Sequence, residues 1–183
     1  MDQRATESKA VWKQAHEFMA PTVNDLERAI SLFEKAIEID NRNVLACSNL
    51  ALIYASKLDD LERAEYYCMK GYAVTDIPPE ITKPALGVDD IRAETDDNLN
   101  RIMMLIRLKQ GRHNEAQDYL AKMAVFFDKY GKGWYRKGQE YWNDYQQRDE
   151  NQGTASSSTS KSGCLASIVL FLALLILIVI LNQ

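Results

Sequence analysis

The chain is poor in the residues that carry chemistry. Its 183 residues include 2 His and 3 Cys, and neither His16 nor His113 stands at metal-ligating spacing from a Cys or a carboxylate. No CxxC pair occurs, so a zinc ribbon and a disulfide framework are both excluded, which suits a reducing compartment. P-loop, G-x-S-x-G and H-E-x-x-H motifs are missing too, so nothing points to an enzyme, and neither a cofactor nor a metal is expected. Basic stripes are also lacking. All 26 acidic residues but 21 of the 22 basic ones precede position 151, and that acidic balance argues against nucleic acid or anionic lipid as a partner. The acidic cluster Asp89, Asp90, Glu94, Asp96 and Asp97 lacks the Gly and terminal Glu of a calcium loop and reads as a solvated helix start.

Long apolar runs are absent until the end of the chain. There, 165–181 reads LASIVLFLALLILIVIL, with 14 of 17 residues Leu, Ile, Val or Phe and none charged. As a helix it rises about 26 Å, enough to cross a thin bilayer, and each large apolar residue favours insertion by roughly 0.3–0.6 kcal/mol. The expectation is a single tail anchor over 164–181. Lys161 precedes it and no charge follows, so the positive-inside bias places the N-terminal bulk in the cytosol. The first 30 residues carry charge throughout and no apolar signal core. An anchor this apolar, with no basic residue on its far side, favours the endoplasmic reticulum or another endomembrane, and a bacterial inner membrane meets the same physics. Cys164, at the cytosolic edge of the span, is a candidate for lipidation.

Pro is scarce as well, at 4 residues, and helical periodicity fills most of the first 148 positions. The pentapeptide DLERA occurs at 25–29 and again at 60–64. After the first copy, Leu26, Ala29, Ile30, Phe33, Ala36 and Ile37 form one apolar stripe; after the second, Leu61, Ala64, Cys68, Gly71 and Tyr72 occupy the same offsets, with Glu65 replacing an apolar residue. Each copy follows another amphipathic helix, whose faces are Val11, Trp12, Ala15, Phe18 and Met19, then Ala46, Cys47, Leu50, Ala51 and Tyr54. Breaks fall at Pro21 and near Asp59–Asp60. Thr22 with Asp25, and Asp59 with Glu62, have the spacing of capping boxes.

On these residues the chain resembles the tetratricopeptide repeat family. The matches are Trp12, Ala29, Phe33, Ala36 and the turn at 37–43, then Leu50, Ala51, Tyr54, Ala64 and Gly71. A third copy is suggested by Gly111 and Ala116, followed by Leu120, Met123 and Phe127. The departures are one extra residue in each turn, Asn41 in place of the usual Pro, and an insertion before the third copy. The resemblance implies an all-α helical-hairpin solenoid with repeats at about 8–42, 43–76 and 96–130 and an insertion at 77–95. Val88, Ile91, Thr95, Leu99, Ile102 and Ile106 keep helical spacing, so the third repeat's first helix is able to start near Asp89. A capping helix is expected over 134–148, with Trp134, Gly138, Tyr141, Trp142 and Tyr145 in one stripe. The Ser/Thr-rich stretch 149–163 reads as a flexible linker.

Such repeats imply binding of a protein or peptide on the concave face formed by the first helices. Mapping the resemblance puts Lys13, Glu17, Asn49, Leu52, Arg101, Leu105 and Leu108 there. Lys13 and Asn49 match the family's carboxylate clamp, but Glu17 would repel a carboxylate and Ile102 replaces a basic clamp residue. Leu52, Leu105 and Leu108 suit an apolar or amphipathic segment instead. The function expected is a membrane-tethered adaptor that recruits a cytosolic partner. The alternative is a structural subunit of a membrane complex, with the span taking part in assembly.

Overall fold

The computed structural model describes residues 1–81 and 90–148, and they are helical with no strand. In chain order come α1 (Gln3–Phe18), α2 (Leu26–Ile39), α3 (Val44–Ile53), a wide π-type turn over Tyr54–Leu58, α4 (Leu61–Tyr72), α5 (Ile91–Lys109) and α6 (His113–Tyr130). Helical backbone, α7, then covers 135–148. Met1–Tyr141 form one compact unit, and a second begins at Trp142; 142–148 are the described part of the second, and they are helical. Among the described residues no helix is long and apolar enough to cross a membrane. The expected linker 149–163, the anchor 164–181 with Cys164, and Val88 and Asp89 lie outside the described residues.

The starts of α1 to α5 follow one rule. Asp2, Asp25, Asn43, Asp60 and Asp90 each accept from the backbone N–H three residues on, at 2.9–3.2 Å, which satisfies a donor with no intrahelical partner. The two aspartates of the DLERA copies therefore do the capping themselves, in place of the Thr22 and Asp59 expected from box spacing. Asp59 instead takes a left-handed conformation, φ 55°, and ends the π turn where Asp60 N–H reaches the Tyr54 carbonyl at 3.0 Å. Asp90 opens the third hairpin, so its first helix starts at Ile91. Arg92 explains that start: it pairs with Asp96 and donates to the Val74 carbonyl beyond α4.

The hairpins α1–α2, α3–α4 and α5–α6 pack internally, and contacts of α2 with α3 and of α5 with α3 and α4 join them. Their core holds the expected stripes: Ala29, Phe33, Ala36, Leu50, Ala51, Ala64, Cys68, Leu99, Ile102 and Ile106 are all buried. Small residues set the helix spacing. A Cβ on Gly71 would stand 3.1 Å from Leu99 Cδ1, so α4 and α5 meet over a hydrogen atom. One buried polar chain ties the first three helices together: Asn43 Nδ2 donates to Ser8 Oγ at 2.8 Å, and Ser8 Oγ donates to the Ala36 carbonyl at 2.6 Å. Each member has its partner, so the chain carries no unpaired penalty.

Two charged positions depart from a simple amphipathic pattern. Glu65, on the apolar side of α4, receives Arg107 of α5 at 2.7 and 2.5 Å, and Arg107, only 6% exposed at its side chain, also meets Glu115 of α6 at 3.1 Å. Three helices thus share one guanidinium. Asp97 is a correction: it is 1% exposed, whereas the sequence reads it as part of a solvated acidic start. It directly follows Asp96, whose side chain is 38% exposed, but it points to the side of α5 that the 131–134 turn covers, where it accepts the Trp134 N–H.

Candidate partner-binding face

The residues expected on the partner face come from α1, α3 and α5, and the structure treats them unequally. Lys13 and Glu17 are exposed on α1. Asn49 of α3 donates from Nδ2 to His16 Nε2 at 2.7 Å, which links the first helices of two hairpins. That bond keeps the His16 proton on Nδ1. Burial holds the imidazole below its usual value, in agreement with a neutral ring. The ring is wedged edge-on to Trp12 at 4.5 Å and to Phe33 at 5.7 Å. His16 was legible as a face residue only from its position three after Lys13, one helical turn along the same side.

Leu52 and Leu105 are half-buried and rest on the core. Leu108 and Arg101 differ from expectation. Leu108 is 4% and Arg101 7% exposed, so neither presents a side chain to a partner in this conformation. Leu108 is enclosed near the α5–α6 turn. Arg101 is covered by Trp134, whose ring lies 4.2 Å from the guanidinium, and it donates to Asn98 Oδ1 at 2.9 Å. At the α1 end, the start of the insertion folds back: Asp2 N–H donates to Glu80 Oε1 at 2.8 Å, Lys9 donates to the Ile81 carbonyl, and Ile81 is fully buried. The insertion therefore strays no further than α1 before position 82.

Chemistry does not gather on this face. Among the described residues no three His, Cys, Asp or Glu side chains converge to hold a metal. Cys47 and Cys68 are free and buried, and burial pushes the Cys47 thiol up to about 11, which leaves it protonated and unreactive at neutral pH.

The deciding comparison falls on α2 and its flanking turns. Residues 22–43 match the tetratricopeptide repeat. The match starts in the turn before the capping Asp25 and ends at Asn43, the cap of α3, so it covers the segment where stripe, caps and buried polar chain coincide. No curated protein matches the chain, and no solved structure does. Tetratricopeptide repeats generally act as non-enzymatic scaffolds for protein or peptide partners, and the helical hairpins of the described residues are consistent with that architecture.

Proposed function

We propose that this chain is a membrane-tethered adaptor that recruits a protein or peptide partner through the face built by α1, α3 and α5, with the apolar run 165–181 as its anchor. The observation that carries the reading is the tetratricopeptide repeat at 22–43, set beside exposed Lys13 and Glu17, the His16–Asn49 pair and half-buried Leu52 and Leu105. Charges of both signs beside two leucines suit an amphipathic segment better than a bare carboxylate, because Glu17 opposes an anion. The anchor rests on length and apolarity alone, and its lack of small-xxx-small spacing suits tethering better than helix pairing. The membrane proposed is the endoplasmic reticulum or a related endomembrane.

Proximity labelling with the full chain tests this, using Lys13→Glu combined with Asn49→Ala. The double variant is expected to lose the proteins most enriched by the parent while its melting temperature falls by no more than about 5 °C, since Lys13 is exposed and the Asn49–His16 bond is worth about 0.5–1.5 kcal/mol. An unchanged set of labelled proteins would place the partner surface elsewhere. Exchanging 165–181 for an unrelated tail anchor should preserve that capture; its loss would favour the assembly subunit instead.

A further inference from the structure

Asp97 is left unexplained by the repeat pattern. Its Oδ2 accepts the Trp134 N–H at 2.8 Å, while its Oδ1 is buried with no hydrogen-bond partner. Everything else about this seat is closely fitted. Gly133 has φ +123°, and a Cβ there would stand 2.7 Å from Asp97 Oδ2 and 2.8 Å from the Phe126 ring. Further along, a Cβ on Gly138 of α7 would stand 2.7 Å from Met123 Cε and 3.0 Å from Leu120 Cδ1. Arg101, one turn after Asp97, lies against the Trp134 ring at 4.2 Å. Two buried polar atoms at this seat are bare, Asp97 Oδ1 and Arg101 Nε, and of the two the carboxylate, with one donor, is the group that a proton relieves.

We propose that residues 133–141 form a latch on α5 and α6 which Asp97 holds closed when protonated and loosens when ionised, release uncovering Arg101. That release would regulate the partner face rests on the adaptor reading above; the latch itself does not.

The physical argument starts from what each protonation state needs. An ionised Asp97 has the Trp134 N–H as its one hydrogen-bond donor, with the Arg101 charge nearby but not bonded to it, whereas the neutral acid keeps that bond through Oδ2 and carries its proton on Oδ1. Burial lifts the Asp97 carboxyl to about 6, and Glu94 on the same helix adds to the rise, against the lowering pull of the Trp134 N–H and of Arg101. The other charged or titratable groups at the seat are Lys132 in the turn, Asp96 of α5 with Lys122, Lys129 and Tyr130 of α6 lining the adjoining groove, and Tyr141 of α7 beside Arg101. Once released, Asp97 meets water and returns toward its ordinary 3.8. The closed latch therefore binds the proton more tightly than the open one. Its gain is complete below the ordinary value and is lost as pH rises through about 6, by up to about tenfold in the closing equilibrium per pH unit between the two.

Hydrogen exchange on the full chain in mild detergent tests the proposal without any partner, so its failure and that of the adaptor reading are distinguishable. Corrected for intrinsic exchange, protection of the Trp134 amide should fall about tenfold between pH 5.0 and pH 7.5. Asp97→Asn, neutral at both, should hold it within about twofold. Gly138→Leu, which forces α7 off its seat, should remove protection at both pH values while amides of α1–α4 keep theirs. A flat profile in the parent, or an equal slope in Asp97→Asn, would overturn the latch.

Discussion

Ala64→Trp should remove the cooperative thermal unfolding of the repeat unit or lower its midpoint by roughly 10 °C, the largest effect expected of any single substitution in this chain. Ala64 is completely buried, in the turn of α4 that packs with α3 in the shared core. A methyl group at that place lets two helix backbones approach, and an indole has nowhere to go without separating them. Overpacking by even a few methylenes costs about 1–3 kcal/mol, and an indole exceeds that range. At roughly 3 °C per kcal/mol for a unit of this size, the shift is easily read by circular dichroism. Ala29→Trp should behave alike, since Ala29 holds the equivalent place in the first copy and is equally buried. Ala10→Trp is the control: Ala10 is exposed on α1, and its midpoint should stay where the parent's is.

The second large effect is expected at the ion cluster joining α4, α5 and α6. Arg107→Ala removes a buried guanidinium from Glu65 at 2.5 Å and from Glu115 at 3.1 Å. Glu65→Ala leaves that guanidinium with Glu115 and Gln110 alone, the latter at 2.7 Å. Breaking a fully buried pair costs about 3–5 kcal/mol. Glu65 is one-third exposed, so water softens the loss, and about 2–3 kcal/mol is expected for Glu65→Ala in a denaturant melt. Arg107→Met should cost less than Arg107→Ala, because it keeps the packed stem and discards the charge. The cluster also sets a pH dependence. Arg107 holds the Glu65 carboxyl below its usual 4.5, so its contribution is complete above that value and fades as pH falls below it. A parent that lost no more stability between pH 5 and pH 3 than Glu65→Ala would remove Glu65 from that account.

The two DLERA segments show how far local sequence reaches. Each contains its own cap, Asp25 or Asp60, and its own small crossing residue, Ala29 or Ala64, and each is followed by apolar residues at helical spacing. Capping and periodicity are interactions over three to seven residues, so they are written wholly within the segment. The same locality explains why box spacing misplaced the caps: Thr22 and Asp59 satisfy the pattern equally well, and only the backbone conformation at Asp59 excludes one choice. The site was less legible. Lys13 and Glu17 lie on an exposed side of a first helix, as any amphipathic reading would have them. Leu108 and Arg101 obey the same periodicity and are buried.

Sequence alone determined that the described residues, 1–81 and 90–148, form paired helices around small residues with no strand, that acidic residues outnumber basic ones, and that one apolar run is long enough for a bilayer. Those properties depend on composition and on spacings shorter than one helix. Tertiary structure alone decided which charges lose their water. Glu65 meets an arginine 42 residues on, Asp97 a backbone N–H 37 residues on, and Asn49 an imidazole 33 residues back. Hydration of a side chain is a property of everything that packs around it, and no window the length of a helix contains those neighbours.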